Sequence, residues 1–421
     1  DMTTLSAAVA MESAIYDHVN IGTGWQLAFR SADTSRSHLR LPPDYSYLPM
    51  YRMARAMTPD KPISMFLDIQ KPPEFFAALP ADQQGRALEW LAAEAYASQC
   101  YYAFHHRFSA FEGPRDEMAR VASFFSDHHD RYYTGTRPEA RVGVIYSYAS
   151  CVWDMYPLKW SRPGPAHSME YYGVCQALLD ANMQFDTVFM GDGGVYADEQ
   201  PEALDDFDAV IVPSAYALTD RNLSALAEYV ANGGNLVVSG PIGTADEENQ
   251  PRGVLPPELA SGHPGIHRLR GDYEEYLASQ NPMPLVDLAD LLVTRMNVEP
   301  TVSLRDLDAN LQLTVRGHDE GDRLLIDVIN RDFKLGKGFT PSGETKLLLT
   351  LPADYGLKDK SIRAISPDSD TSEGELTWAP TRISRRQPVI EGMPGPMTIG
   401  SRMAVRINLP PVDVYTLVVI E

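Results

Sequence analysis

The sequence predicts an α/β protein of several domains: the C-terminal part of a (β/α)8 barrel, then a doubly wound parallel sheet, then a β-sandwich. Three observations support this. Residues 1–135 alternate helical and strand-like segments, residues 138–245 alternate continuous apolar strands with helices, and residues 311–421 hold only short strands separated by Pro, Gly, Asp and Ser turns. A chain of 421 residues is also too long for one ordinary core.

The first part of the chain contains about three strand–helix units, whereas a closed barrel of this type needs eight. The strands are predicted at residues 19–29, 63–69 and 100–108, and helices follow at 82–97 and 115–132. A partial barrel would leave unpaired strand edges, so we expect the missing strands in a preceding segment of the same precursor or in a second chain. Because that segment would hold the true N-terminus, where an export signal would lie, the cellular compartment of the protein stays unassigned.

The middle part of the chain is predicted to be a parallel sheet covered by helices on both faces. Apolar strands are predicted at residues 141–146, 185–190, 209–213 and 235–239, with helices at 167–182 and 220–232 between them. Thr219 or Asp220 can cap the second helix, and Gly233-Gly234 can end it. Residues 246–310 are predicted to be a connector with one helix near 285–292.

Charge and composition exclude several classes of partner. The chain has 36 basic and 57 acidic residues and a net charge of −21, which argues against nucleic acid or an anionic membrane as a partner. Three cysteines, Cys100, Cys151 and Cys175, do not make a disulfide framework and are expected to be buried small hydrophobes. The apolar runs are shorter than the roughly 20 residues that span a bilayer, so we expect a soluble protein.

The candidate catalytic residue is Asp68, which ends the apolar strand 63–69. Barrel enzymes present catalytic groups at the carboxyl edge of their sheet, and a carboxylate there can attack a glycosidic carbon or activate water. Gln70, two residues later, is a candidate for substrate binding. The competing interpretation is that Asp68 caps the loop that follows.

Other candidate substrate-binding residues lie near neighbouring strand ends. His105, His106 and Arg107 follow the next strand, with Glu112 five positions further on, and these are the groups expected to meet sugar hydroxyls or a carboxylate. Adjacent strand residues point to opposite faces, so only one of the two histidines can face a pocket. Metal ligands on one strand face would be two residues apart, so no metal is expected.

Trp25 and Arg30 complete the candidate substrate-binding set, with Trp25 as a stacking surface for a sugar ring. Core packing is the competing interpretation for Trp25. In the middle part, Ser214 lacks the flanking glycines of a nucleophile elbow, and Gly191-Asp192-Gly193-Gly194 lacks the spacing of a nucleotide fingerprint. We therefore expect no cofactor.

Two segments resemble a known family. KPISMFLDIQKPP, beginning at Lys61, resembles the seventh-strand segment of family 42 glycoside hydrolases, the bacterial β-galactosidases, and YYAFHHRFSAFEGPRDEM, beginning at Tyr101, resembles the eighth-strand segment. The resemblance implies that Asp68 occupies the nucleophile position, where that family has Glu. It also implies a flavodoxin-like trimerisation module at residues 138–245 and a proton-donating Glu upstream of this chain. The C-terminal β-domain is longer than that family's, which points to a divergent relative.

The sequence thus predicts a glycoside hydrolase that uses a carboxylate pair, with Asp68 in this chain and the acid in a missing segment or partner chain. We expect a carbohydrate substrate and a homo-oligomer, with a trimer implied by the resemblance. Two alternatives stay open. One is a non-catalytic carbohydrate-binding or assembly subunit with a degenerate barrel, and the other is a polysaccharide lyase with Tyr101 or Tyr102 beside a histidine.

Overall fold

The computed structural model describes most of the chain. The described residues are 19–24, 46–59, 61–68, 79–104, 115–155, 167–194, 196, 201–278, 281–304, 310–318, 323–334, 337–350, 360–367, 373–386 and 398–421. Their strands form sheets of three, five, six and four members and one two-stranded hairpin.

The first part of the chain is a small parallel sheet with helices between its strands. In chain order the elements are β1 (Val19–Gly24), α1 (Leu48–Met57), β2 (Ile63–Asp68), α2 (Ala81–Ala97), β3 (Tyr101–Phe104) and α3 (Arg115–Tyr132). The strand order is β1-β2-β3, with every pair parallel. The predicted alternation of strands and helices is therefore present, and β2 is the central strand of the three described.

Helices α2 and α3 pack on each other through aromatic rings. Phe125 of α3 stacks on Tyr96 of α2 with the ring centroids 4.2 Å apart. Phe125 belongs to a buried stripe on α3 that also contains Val121, Phe124 and Tyr132. Burial along one helix face follows from the 3.6-residue period of these apolar positions, as the sequence indicates.

The middle part is a five-stranded sheet in which every pair of strands is parallel. Its elements are β5 (Val142–Ser147), α4 (Tyr148–Met155), α5 (His167–Asp180), β6 (Phe185–Met190), a 3₁₀ turn (Pro201–Asp206), β7 (Ala209–Val212), α6 (Asp220–Ala231), β8 (Asn235–Val238) and β9 (Ile266–Arg268). The strand order is β6-β5-β7-β8-β9. This order reverses direction between β5 and β7, as doubly wound sheets do.

Both faces of this sheet are buried, because alternate residues of each strand enter different apolar clusters. Val144 and Tyr146 of β5 pack in the cluster that includes α5, whereas Ile145 packs in the cluster that includes α6. Strands covered on both sides read as continuous apolar runs, which is why the sequence shows no polar alternation here.

Helix α6 begins and ends at the predicted signals. The Thr219 side chain accepts a hydrogen bond from the Asn222 backbone nitrogen at 3.1 Å, which is an N-cap contact. After the helix, Gly233 has a φ of +93°, in the left-handed region that favours glycine. The chain therefore leaves α6 where the sequence predicts.

The last part of the chain is built from antiparallel strands. They are β10 (Val302–Leu304), β11 (Leu311–His318), β12 (Leu324–Asn330), β13 (Phe333–Lys334), β14 (Gly338–Phe339), β15 (Thr345–Leu349), β16 (Ile362–Ile365), β17 (Glu373–Glu375), β18 (Trp378–Arg386), β19 (Thr398–Leu409) and β20 (Tyr415–Ile420). One sheet has the order β10-β15-β19-β18, and the other has the order β17-β16-β20-β12-β11. Residues of both sheets share one apolar cluster.

Two segments, β4 and the connector, contribute strands to sheets whose other strands lie far from them in the sequence. Strand β4 (Thr136–Pro138), at the predicted break after the first part, pairs antiparallel with β11 and becomes the edge of the larger antiparallel sheet. The predicted connector also contributes β9 to the parallel sheet, β10 to the smaller antiparallel sheet, and helices α7 (Tyr273–Ala278) and α8 (Met283–Ala289), followed by a π-helical turn (Asp290–Arg295). Helix α7 packs on α5 at Gly173, where an added Cβ would overlap the Tyr273 carbonyl oxygen.

A buried ion pair ties α3 to the larger antiparallel sheet. Arg316 of β11 donates to both carboxylate oxygens of Asp327 on β12 at 2.8 and 2.9 Å, and both side chains are 0% exposed. The Tyr415 hydroxyl donates to the same carboxylate at 2.7 Å, and Arg316 Nη1 donates to the Tyr132 carbonyl oxygen at the end of α3, also at 2.7 Å. Additional hydrogen bonds of this kind are what make a buried ion pair tolerable.

A second buried carboxyl, that of Glu94 on α2, lies where the three parts of the chain meet. Glu94 accepts hydrogen bonds from Ser46 Oγ at 2.5 Å, the Tyr47 backbone nitrogen at 2.9 Å and Gln312 Nε2 of β11 at 3.3 Å. Burial raises the pKa of Glu94 to about 7, although these hydrogen bonds and the charge of Arg331 favour the ionised form.

The same junction continues into the middle part. The Ser46 backbone nitrogen donates to Gln176 of α5 at 3.0 Å, and Gln176 donates to Asp180 at 2.9 Å. Asp180 also pairs with Arg331, which follows β12, at 2.9 Å. A continuous chain of polar contacts therefore links Glu94 on α2, helix α5 and the antiparallel sheet.

We expect Asp327→Asn to lower the free energy of unfolding by about 3–5 kcal/mol, because it leaves the Arg316 guanidinium buried without a counter-charge. The matched control is Asp208→Asn, which removes the exposed partner of Arg141 and should cost about 1 kcal/mol or less. Chemical denaturation of both variants measures the difference. Equal losses would show that the buried pair contributes no more than a surface pair.

The raised pKa of Glu94 makes stability depend on pH. The pKa in the folded protein is about 7, above its ordinary value of 4.5, so the contribution of this group is complete below 4.5 and is lost as pH rises through 7. We expect Glu94→Gln to remove this decline, whereas Glu228→Gln, an exposed change on α6, should not. Thermal unfolding midpoints from pH 4 to 9 test this, and parallel curves for wild type and Glu94→Gln would contradict it.

Candidate active site

Parallel strands bring their carboxyl ends to one edge of a sheet. In the first sheet that edge is formed by Gly24, Asp68 and Phe104, the last residues of β1, β2 and β3. Gly24 pairs with Asp68, and Phe104 pairs with Leu67. Asp68 therefore ends the central described strand, as the sequence predicts, and has a neighbouring strand on each side.

The remaining candidate residues lie outside the described residues. They are Trp25, Arg30, Gln70, His105, His106, Arg107 and Glu112. In sequence, Trp25 directly follows the end of β1 and His105 directly follows the end of β3. Their roles in substrate binding stay predictions.

At the opposite edge, one arginine of α1 holds the segments that lead into β2 and β3. Arg55 Nη1 donates to the Lys61 carbonyl oxygen at 3.0 Å, just before β2, and Arg55 Nη2 donates to the Gln99 carbonyl oxygen, just before β3. Gln99 has a φ of +59°, an uncommon conformation for a residue with a Cβ. Because one guanidinium contacts both segments, it fixes the relative position of the two strands that end near Asp68.

The three cysteines lie in the interior of the protein. All three are buried and free, as the sequence predicts. Burial raises the pKa of the Cys100 thiol, next to β3, to about 12. A thiol with that pKa stays protonated at neutral pH and is not a nucleophile.

A tyrosine–histidine pair is present, but at the other end of β3. The rings of Tyr101 and His129 lie 5.0 Å apart, and His129 is in the last turn of α3. Tyr101 is the first residue of β3, so this pair lies at the amino edge of the sheet, away from Asp68. The pair therefore gives the lyase alternative no support at the carboxyl edge.

The parallel sheet of the middle part has a buried histidine at its carboxyl edge, and its contacts are structural. His167 Nε2 accepts from the Ser147 backbone nitrogen at 2.8 Å, and Nδ1 contacts the Pro213 carbonyl oxygen at 2.5 Å. Burial lowers the pKa of His167 to about 4, so it stays neutral. Since both ring nitrogens are engaged by backbone, His167 is not arranged as a base for the neighbouring Ser214.

The glycine-rich segment after β6 is a turn. Asp192 Oδ1 accepts from the backbone nitrogens of Gly194 at 3.1 Å and Tyr196 at 3.0 Å. Within the described part of the chain, no group of three or more His, Cys, Asp or Glu side chains is arranged to hold a metal ion. None of the described helices is long and apolar enough to cross a membrane.

Sequence reasoning did not single out Glu94, the carboxyl that burial perturbs most clearly. A signal for it exists, because Glu89 and Glu94 are the charged residues in the run ALEWLAAEAYA, which is otherwise apolar. A charge that interrupts such a run on a helix indicates a buried polar contact. Glu94 belongs to the junction between the parts of the chain and not to the edge that contains Asp68.

One family model matches part of the chain. Residues 166–299 match the model described as GLMA-like, second domain, and this range contains strands β6 to β9 and helices α5 to α8. No curated protein matches the chain.

Several solved structures are similar to this chain. An α-L-fucosidase from Paenibacillus thiaminolyticus is 13% identical, with a TM-score of 0.54, over 89% of this chain and 62% of its own. A rhamnosidase from a Novosphingobium species is 11% identical, with a TM-score of 0.50, over 98% of this chain and 35% of its own. A β-galactosidase from Bacillus circulans is 13% identical, with a TM-score of 0.45, over 88% of this chain and 66% of its own.

The chain therefore spans less than two thirds of the length of each of these proteins. The likeness is one of fold, and the proteins that share it are glycoside hydrolases. Family 42 β-galactosidases are also among the similar structures.

Proposed function

We propose that this chain belongs to a glycoside hydrolase, in which Asp68 is one member of a catalytic carboxylate pair. The observation that carries the proposal is the position of Asp68 at the carboxyl end of the central described parallel strand. Barrel enzymes place their reacting groups at this edge. The fold shared with a fucosidase and a rhamnosidase supports the same reaction class.

The proposal includes the finer architecture. Residues 1–135 form the C-terminal part of a (β/α)8 barrel, residues 138–245 a flavodoxin-like domain, residues 246–310 a connector and residues 311–421 a β-sandwich. The strand order β6-β5-β7-β8-β9 is the order 2-1-3-4-5 of flavodoxin-like sheets, and it supports the second assignment with β9, from the connector, as the fifth strand. The apolar cluster shared by two antiparallel sheets supports the last.

In the proposed reaction, the carboxylate of Asp68 attacks the anomeric carbon or activates a water molecule, and a second carboxyl group protonates the leaving oxygen. The distance between the two groups selects the outcome: about 5–5.5 Å gives retention and about 6.5–9.5 Å gives inversion. The acid belongs to the barrel strands that precede this chain or to a partner chain. Trp25, Arg30, Gln70, His105, His106, Arg107 and Glu112 are the proposed sugar-binding groups.

The assembly is proposed to be a homo-oligomer, with a trimer as the form that the family 42 resemblance implies. Its substrate is a carbohydrate, and neither nucleic acid nor a membrane is a proposed partner. The net charge of −21 supports the exclusion of polyanions.

Asp68→Asn in the complete protein should lower kcat/KM on a panel of aryl glycosides by about 10²-fold or more, since a neutral amide cannot act as the nucleophile or base. Asp127→Asn, an exposed change on α3, is the matched control and should leave turnover unchanged. Circular dichroism of both variants separates lost chemistry from lost folding. Unchanged turnover in folded Asp68→Asn would remove Asp68 from the mechanism, and saturable sugar binding without hydrolysis by the wild type would favour the non-catalytic alternative.

A further inference from the structure

A cleft of about 1030 Å³ opens in the C-terminal β-domain, between its two sheets. Thr345 on β15 and Asn408 on β19 line it from the smaller sheet, and Glu375 on β17 and Thr416 on β20 line it from the larger one. Its volume is at the upper end of the range for small-molecule sites. Nothing in the proposed hydrolase reaction uses this cleft.

The walls of the cleft are held by hydrogen bonds, so its shape is formed in advance. Asn330 Nδ2 donates to the carbonyl oxygens of Thr340 and Asp413, both at 2.7 Å, and lies 3.2 Å from that of Val412, which fixes the loop after β19. Asp413 pairs with Arg86 of α2 at 2.5 Å. A rigid wall lowers the entropy lost when a ligand binds.

A buried hydroxyl on the wall has no hydrogen-bond partner among the described residues. Thr345 is 5% exposed, and its hydroxyl makes no hydrogen bond with any described residue. A buried hydroxyl without a hydrogen bond is unfavourable, and native proteins have few of them. A ligand that donates to or accepts from this hydroxyl would supply the missing bond.

The other polar groups of the cleft are of mixed character. Glu344 and Glu375 are exposed carboxylates that form no ion pair within the described part of the chain, and Lys346 contributes an ammonium group. Asn408 provides an amide, which is held by its bond to Thr377 Oγ1 at 2.8 Å. Acceptors, donors and groups that do both therefore surround the same space.

This mixture excludes two classes of ligand. An anion would face two carboxylates in a protein of net charge −21. A metal ion would need a cluster of ligating side chains, which the described residues do not form. A hydroxyl group both donates and accepts, so a neutral ligand with several hydroxyls fits all of these wall groups, and its C–H faces fit Pro341, Pro410 and Pro411.

We propose that this cleft binds a neutral, hydroxyl-rich ligand of the short oligosaccharide class, at a site separate from the edge that contains Asp68. The choice of oligosaccharides among hydroxyl-rich ligands rests on the proposed function. The carboxylates of Glu344 and Glu375 accept from sugar hydroxyls, and Thr345 and Asn408 complete the hydrogen bonding.

Isothermal titration with lactose, cellobiose and maltose tests this site, and the complete protein carries Asp68→Asn so that hydrolysis cannot consume the sugar. We expect saturable binding of at least one of these sugars, and Glu375→Gln should weaken it about tenfold, because a bond to a charged acceptor is among the stronger ones. Glu228→Gln on α6 is the matched control and should bind as the parent does.

Thr345→Val provides an independent readout. It removes the hydroxyl and keeps the β-branched shape, so binding should weaken several-fold while the unfolding midpoint of the sugar-free protein stays the same or rises. A fall in that midpoint would show that the hydroxyl already has a partner and would overturn the assignment.

Three results overturn the proposal: no saturable binding of any of these sugars, equal binding by the parent and Glu375→Gln, or binding of a lysine-rich peptide in place of sugar. These results are distinct from a failure of the hydrolase proposal, which is tested by the glycoside turnover of the wild-type protein, with Asp68 intact. If the wild type hydrolyses no glycoside but the protein still binds sugar through Glu375, the cleft proposal stands and the hydrolase proposal fails.

Discussion

The arrangement of the sheets depends on a carboxyl group buried among them. Glu94 sits on α2 and receives hydrogen bonds from the segment before α1 and from β11, and the contacts continue through Gln176 to Asp180 on α5. Burying a carboxyl is costly unless it is bonded on several sides. Few relative positions of the three parts can satisfy these bonds together, so the junction favours one arrangement over others that would bury similar apolar area.

This junction has a consequence for the candidate active site. Helix α2 connects β2 to β3, so fixing α2 fixes the start of the strand that follows, and Arg55 ties that start to the start of β2. The strand ends near Asp68 are therefore positioned by contacts at the far side of the same sheet. Asp68 therefore ends a strand whose position is fixed, which would suit the proposed hydrolysis because its outcome depends on the distance between two carboxyl groups.

Much of the fold could be predicted from local pattern. The buried stripe of α3, the Thr219 cap of α6 and the continuous apolar strands of the parallel sheet all follow from periodicity and capping, which act over a few residues. The pairing of β4 with β11 and of β9 with β8 could not be predicted in this way. These short strands carry little pattern of their own, and their partners lie far away in sequence.

The sequence alone determined that an aspartate ends an apolar strand, that the chain changes from mixed to all-β near residue 311, and that two segments resemble family 42 enzymes. These properties depend only on residues that are close together in the sequence, so the sequence is sufficient to recognise them. Only the tertiary structure decided that Asp327 neutralises Arg316, that Glu94 joins three parts of the chain, and that Thr345 and Glu375 line one cleft. Such contacts depend on how elements distant in sequence pack together. Burial strengthens these contacts, and the groups become buried only when the elements have packed.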